Sequence, residues 1–309
     1  MQKPIDKPKK RVYNSGISKT NGLKTQRKKE NKMKKIISLV LALAMMCGAM
    51  FALASCGGDE VASKVALQSG TTSENYAKVL KGVEIVSYDT FALAAQGMKN
   101  GNADYVFVDK TTANALCKEI DGLKIIDIAL SSEHYGIGID PKQADLKGKI
   151  DAILADKADE IDAIKAKYMN GDEASYVGIE SAKKDISKAD QQLVVATNAE
   201  FAPWEYKEGD KYFGIDMEIA AILAEELGLE LVIDDMQFNM VVGAVGNQGV
   251  DIAMSGITIT AERLEAINFS TPYYTESIVV VCKEDDTTFD SAGTVVDLLT
   301  SICYPADAE

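Results

Sequence analysis

Leu193-Val194-Val195-Ala196-Thr197-Asn198-Ala199-Glu200-Phe201-Ala202-Pro203-Trp204-Glu205-Tyr206 begins as an uncharged run and breaks into polar and aromatic residues at Asn198. The run Leu193 to Thr197 predicts a buried strand. Gly209-Asp210 follows as a hairpin turn, and Ile215 to Leu227 as an amphipathic helix that Gly228 stops. Glu230 to Ile233 predicts a strand, Met240 to Val245 a helix, and Val250 to Met254 and Ile278 to Lys283 further strands. Strand and helix alternate here, the pattern of an α/β unit.

The same alternation precedes it. Val65-Ala66-Leu67 predicts a strand, Ser69-Gly70-Thr71-Thr72-Ser73 a turn that feeds a helix, and Val83 to Tyr88 a strand. Phe91 to Lys99 places Phe91, Ala94, Ala95 and Met98 on one helical face before Asn100-Gly101 ends it. Tyr105 to Val108 predicts a buried strand ended by Asp109, Thr112 to Glu119 a helix, and Leu123 to Ile128 and Tyr135 to Ile139 strands. This order predicts a parallel sheet covered on both faces. Ile150 to Tyr168 predicts one amphipathic helix, and 170–190 a linker or irregular loop.

Ahead of both units the composition changes. Residues 1–35 hold 13 Lys and Arg against two acids, while the whole chain has a formal charge of −14. Residues 36–55 are uncharged, so the remainder is strongly acidic, which argues against nucleic acid as a partner of the folded part. Met33-Lys34-Lys35, the apolar run from Ile36 to Phe51 and Leu53-Ala54-Ser55-Cys56 form the three regions of a secretory signal. The alternative for this run, a transmembrane helix, is short for a span. Residues 1–32 are a basic extension ahead of a natural start at Met33 and are expected not to be part of the fold. Of five Cys, Cys47 lies in the signal, and Cys117, Cys282 and Cys303 form no C-x-x-C, so neither a metal nor a redox motif is expected.

Leu-Ala-Ser-Cys resembles the lipobox of bacterial lipoproteins, which implies cleavage after Ser55 and a lipid anchor on Cys56 at the outer face of a membrane. The stretch quoted first, with Gly214-Ile215-Asp216, Gly249-Val250-Asp251, Ser255-Gly256-Ile257-Thr258-Ile259-Thr260-Ala261-Glu262-Arg263 and Phe269-Ser270-Thr271-Pro272-Tyr273-Tyr274, resembles the first half of the polar amino-acid-binding proteins of ABC importers, solute-binding protein family 3. Val65 to Ser73, Gly101-Asn102-Ala103-Asp104 with Asp109, and Tyr135 to Ile139 resemble that family's second half. The resemblance implies an α/β, two-lobed periplasmic-binding-protein-like fold of type II with the lobes in circularly permuted order. The expected division is a tether at 56–63, a second-lobe-like unit at 64–140, a helix of the first lobe at 141–169, the linker at 170–190, a first-lobe-like unit at 191–285 and an unassigned tail at 286–309. Ile278–Lys283 is expected to cross between lobes and to be held only by its ladder, giving a loose hinge, in a monomer or a lobe-swapped dimer.

What the resemblance implies for function is capture of a free amino acid, polar by expectation, and its delivery to an ABC transporter permease, with no cofactor and no catalysis. Arg263 would grip the ligand carboxylate with its planar fork, beside Gly256, Thr258 and a backbone N–H of Thr72. Asp109 would hold the ammonium, Phe201 and Phe238 would flank the ligand, and Asn198 and Gln68 would read its side chain. The ordinary alternatives are a surface Arg, a helix N-cap at Asp109, and core positions for Trp204 and Phe238. No G-x-S-x-G, Walker, H-E-x-x-H or glycine-rich fingerprint occurs. The lone His134 reads as structural. Two alternatives stand beside import: a rearranged product with impaired binding, and an extracytoplasmic dehydratase using Glu200 or Glu133.

Overall fold

The computed structural model describes residues 63–303. The basic extension, the signal segment, Cys56 and residues 304–309 lie outside the described residues. The chain alternates β1 (Ser63–Gln68), α1 (Thr72–Lys78), β2 (Val83–Tyr88), α2 (Phe91–Lys99), β3 (Tyr105–Asp109), α3 (Lys110–Glu119), β4 (Leu123–Ile126), β5 (Glu133–Tyr135) and β6 (Gly138–Ile139). It continues with α4 (Ala144–Asp156), α5 (Ala158–Met169), β7 (Gln192–Thr197), β8 (Glu200–Phe201), β9 (Glu205–Glu208), β10 (Lys211–Phe213), α6 (Ile215–Leu227), β11 (Glu230–Asp235) and α7 (Phe238–Ala244). The last elements are β12 (Ile252–Ala253), α8 (Arg263–Ala266), β13 (Asn268–Phe269), β14 (Tyr274–Glu276), β15 (Ile278–Lys283) and α9 (Val295–Cys303).

Two sheets organise the molecule into two lobes. The β1 lobe carries the order β2-β1-β3-β15-β4, and the β7 lobe carries β11-β7-β12-β6-β13. Local chemistry sets the elements. Thr90 caps α2 by accepting from the Leu93 N–H at 3.1 Å, and Gly228 ends α6 with φ of +68°. Neither sheet is purely parallel, contrary to the expectation from alternation. β15 runs antiparallel to β3 and β4, and β6 antiparallel to β12 and β13, because each enters its sheet from the opposite lobe.

Two segments cross between the lobes, and they pair with each other: β5 and β14 form an antiparallel ribbon with Tyr135 opposite Tyr274 and Glu133 opposite Glu276. The crossing is therefore complete by Glu276, and β15 lies between β3 and β4 as an interior strand. This corrects the expectation that Ile278–Lys283 is the crossing strand and is held only by its ladder, since the crossing lies in β5 and β14 and α9 packs against Val280, and it moves the boundary expected at 285. The segment drawn as an unassigned tail also belongs to the β1 lobe. Its α9 packs Leu298 and Ile302 into a buried cluster with Val65, Leu67, Phe107, Val280 and Phe289. The ends of the described chain meet there, since the Ser63 hydroxyl donates to the Ile302 carbonyl at 2.6 Å.

The single helix expected over 150–168 is two, α4 and α5, separated at Lys157. Both contribute to one core, with Ile150, Leu154, Ile161, Ile164 and Tyr168 buried against the β7 lobe. Residues 170–190 contain two short 3-10 turns and no longer element. They are nonetheless pinned to the β7 lobe. Ile179 and Tyr212 exchange backbone hydrogen bonds at 2.7 and 2.9 Å, the Ala182 N–H donates to the Leu231 carbonyl, and Lys184 pairs with Asp234 at 2.6 Å. Among the described residues no helix is long and apolar enough to cross a membrane.

Candidate functional site

A small cavity lies between the lobes. The β1 lobe contributes Gln68, Thr71, Thr72, Phe91 and Asp109, and the β7 lobe contributes Phe201, Phe238, Ser255, Gly256, Thr258 and Arg263. Every residue expected at the site except Asn198 lines this cavity. Thr71, Phe91 and Ser255 were not foreseen there. Phe91 begins α2, where its apolar spacing with Ala94 and Met98 reads as core. It faces Phe201 with ring centroids 5.7 Å apart, so it is a wall of the cavity as well as a core side chain.

Asp109 ends β3 at the carboxyl edge of the sheet, where open α/β folds place ligands. It precedes α3 but makes no side-chain cap bond. Its Oδ1 instead accepts from the Tyr135 hydroxyl at 2.6 Å, which aims the carboxylate along the hinge into the cavity. Burial pushes its pKa up to about 7, opposed by the Tyr135 bond and reinforced by the acids Glu276 and Glu133 nearby.

Arg263 starts α8 on the other lobe. Its guanidinium donates to the Thr258 carbonyl at 2.9 Å and, across the cleft, to the Gly70 carbonyl at 3.1 Å, and it lies 5.6 Å from the Phe238 ring centroid. Among the described ion pairs none involves Arg263. Burial draws its pKa down, while the acids Glu133, Glu262 and Asp109 oppose that shift. A cation held by carbonyls and an aromatic face, with no carboxylate in contact, is arranged to receive an anion.

The expectation for Gly256 needs correction. Its N–H donates to Asp216 Oδ2 at 2.9 Å, so this group is already used. Asp216 is fully buried, also accepts from Tyr273, and has its pKa raised to about 6 mainly by burial. Gly256 matters for space instead. With φ of +52°, a Cβ here would lie 2.6 Å from the Phe201 ring and 3.1 Å from Tyr135. Asn198 also departs from expectation. Its Nδ2 donates to the Met236 carbonyl at 3.0 Å and its Oδ1 accepts from Gln68 Nε2 at 2.9 Å, so its amide faces other protein groups.

Trp204 is fully buried, with rings of Tyr135 and Tyr274 at 4.9 and 4.7 Å, and is a hinge-core residue. Its Nε1 donates to Thr111 Oγ1 across the lobes at 3.3 Å. Phe238, the other residue with two readings, lines the cavity. Glu200 is exposed and Glu133 is buried beneath Tyr76, whose hydroxyl donates to it at 3.1 Å; neither lines the cavity. His134 sits in β5 with its Nδ1 3.1 Å from Thr275 Oγ1. Among the described residues no group of His, Cys, Asp and Glu could hold a metal ion.

With this geometry the chain has recognisable relatives. The model of the bacterial extracellular solute-binding proteins, family 3, matches residues 193–301. The arginine-binding extracellular protein ArtP of Bacillus subtilis is 40% identical over 112 residues, 36% of this chain and 41% of that protein. The cyclohexadienyl dehydratase of Pseudomonas aeruginosa is 35% identical over 96 residues, 30% of this chain and 36% of that enzyme. The matched stretch thus spans about two fifths of these curated relatives' length. The arginine-bound domain 1 of TmArgBP shares 28% identity over 39% of this chain and 98% of that one, with a TM-score of 0.27.

Proposed function

We propose, from the match of residues 193–301 to the model of the bacterial extracellular solute-binding proteins, family 3, that the chain captures a free amino acid between its lobes and delivers it to an ABC transporter permease. The observation that carries this reading is the pairing of Asp109 and Arg263, one on each lobe, as the charged residues lining one cavity. An α-amino acid is a zwitterion, and these two groups match its ammonium and carboxylate. The Thr72 hydroxyl or N–H at the start of α1 and Thr258 beside Arg263 are positioned to complete the carboxylate's hydrogen bonds. Phe91, Phe201 and Phe238 supply the apolar walls that exclude water and strengthen the two ion pairs.

Both lobes touch the ligand, so binding favours the closed arrangement over an open one. The relatives' names support binding in preference to catalysis. The dehydratase reading relies on Glu200 or Glu133, which lie outside the cavity wall. We further propose that the lobes stand in permuted order relative to the family, that Cys56 carries a lipid anchor on the outer face of a membrane, and that the chain works as a monomer. The contact of Ser63 with Ile302 favours permutation, since it is where an uncut chain would run on from α9 into β1.

Calorimetric titration of the full chain with the twenty amino acids tests the function. Saturable binding of at least one is expected, and no heat from any of them sinks the reading. Chromatographic mass measurement tests the monomer against a lobe-swapped dimer.

A further inference from the structure

The side-chain end of the cavity contains a hydrogen-bond chain whose polarity is fixed at both ends by backbone carbonyls. The Met236 carbonyl can only accept, so the amide it meets on Asn198 at 3.0 Å must be the NH₂. That turns Asn198 Oδ1 toward Gln68 and obliges Gln68 to present its own NH₂ there, at 2.9 Å. The second hydrogen of Gln68 Nε2 goes to the Asp89 carbonyl at 2.8 Å. Both donors of Gln68 are then committed. Its Oε1 accepts no hydrogen bond among the described residues, while the residue as a whole is 1% exposed and lines the cavity. A carbonyl oxygen with no donor from the described residues, on a residue that lines the cavity, is free to accept one from a ligand.

We propose that Gln68 reads the ligand's side chain as a hydrogen-bond acceptor, held in that orientation by Asn198, and that the site selects neutral amino acids whose side chains donate a hydrogen bond: hydroxyls and carboxamides. This rests on the reading of the cavity as an amino-acid site. An acidic side chain would set a carboxylate against Oε1 and is rejected. A cationic side chain would find its donor role met but its charge unbalanced, because Asp109 is committed to the α-ammonium and is the one acid on the cavity wall. An apolar side chain leaves Oε1 unpaired. Asn198 is a positioning residue in this scheme, which accounts for its absence from the cavity wall.

Isosteric pairs give the test, read on the full chain by the fluorescence of Trp204, the single Trp, which bridges the lobes through Thr111. Glutamine is compared with glutamate and methionine, threonine with valine, and arginine is added as the cation. The donor-bearing member of each pair is expected to bind at least about tenfold more tightly. Gln68→Met is expected to lower the glutamine-to-methionine ratio by about tenfold while binding itself persists. Tighter binding of arginine or glutamate than of every neutral ligand overturns the selectivity, as does an unchanged ratio in folded Gln68→Met. If that variant melts, the ranking on the unaltered chain decides alone. Failure of all these ligands overturns the amino-acid reading beneath it, an outcome distinct from binding with the wrong ranking.

Discussion

Arg263 and Asp109 come from opposite lobes and from segments more than one hundred and fifty residues apart in the chain. Replacing either by Ala leaves the ligand's matching charge buried without a partner. Each of Arg263→Ala and Asp109→Ala is expected to raise the Kd about ten- to a hundredfold in calorimetry, the loss of roughly 1.5–3 kcal/mol from a charged hydrogen bond. Asp109 also predicts a pH dependence. In the empty site burial holds its pKa at about 7, whereas a bound ammonium favours the carboxylate and lowers that value. Protons therefore bind the empty form better than the complex, and the affinity falls as pH drops below 7 and levels off above it. Titration between pH 5 and 8, on the order of a tenfold loss per unit at its steepest, checks this. Asp109→Asn should flatten the slope, and a slope that persists in that variant refutes the assignment. The residues with chemistry at a motif position were legible in sequence. What sequence hid was orientation. Nothing in the letters at 198 or 256 says that Asn198 faces Met236 or that the Gly256 N–H is taken by Asp216, because both depend on which backbone group comes to lie opposite.

At the scale of elements, most strands and helices followed from apolar runs and their stops, as with α2 between Thr90 and Asn100. The failures have physical causes. The break at Lys157 lies among Ala155, Asp156, Ala158 and Asp159, with neither Gly nor Pro to mark it. α9 is short and lies apart from the repeating pattern, so its role became visible only when Leu298 and Ile302 met β1, β3 and β15. Leu298→Ala removes a fully buried side chain and is expected to cost about 2–5 kcal/mol, lowering the Tm in a thermal melt. An unchanged Tm would mean that α9 is not docked. The turn after β12 is equally constrained. Gly256→Ala forces a Cβ against Phe201 in a left-handed conformation, with an expected loss of roughly 1–3 kcal/mol and weaker ligand binding in the same melt and titration.

For the whole molecule, the alternation of strand and helix showed the fold class, and the motifs showed two lobes. Their junction was less legible, because the sequence does not say in which sheet a crossing strand ends. β15 enters the β1 lobe as an interior strand, and β5 with β14 ties the hinge. A chain reordered to run 191–303 and then 63–190, joined where Ile302 meets Ser63, is expected to bind the same ligands with affinity unchanged within about threefold. Loss of binding in a folded product of that reordering would refute the proposed permutation. With the proposed anchor, the same meeting point would also decide which half of the molecule is moored. Cys56 precedes Ser63 by seven residues, a leash of at most roughly 24 Å. An acyl chain there would berth the β1 lobe at the bilayer and leave the β7 lobe, with Arg263, as the part free to swing. In the unpermuted order a leash ahead of the β7 lobe would berth that one instead, so the proposed permutation would exchange anchor and arm without altering the jaws.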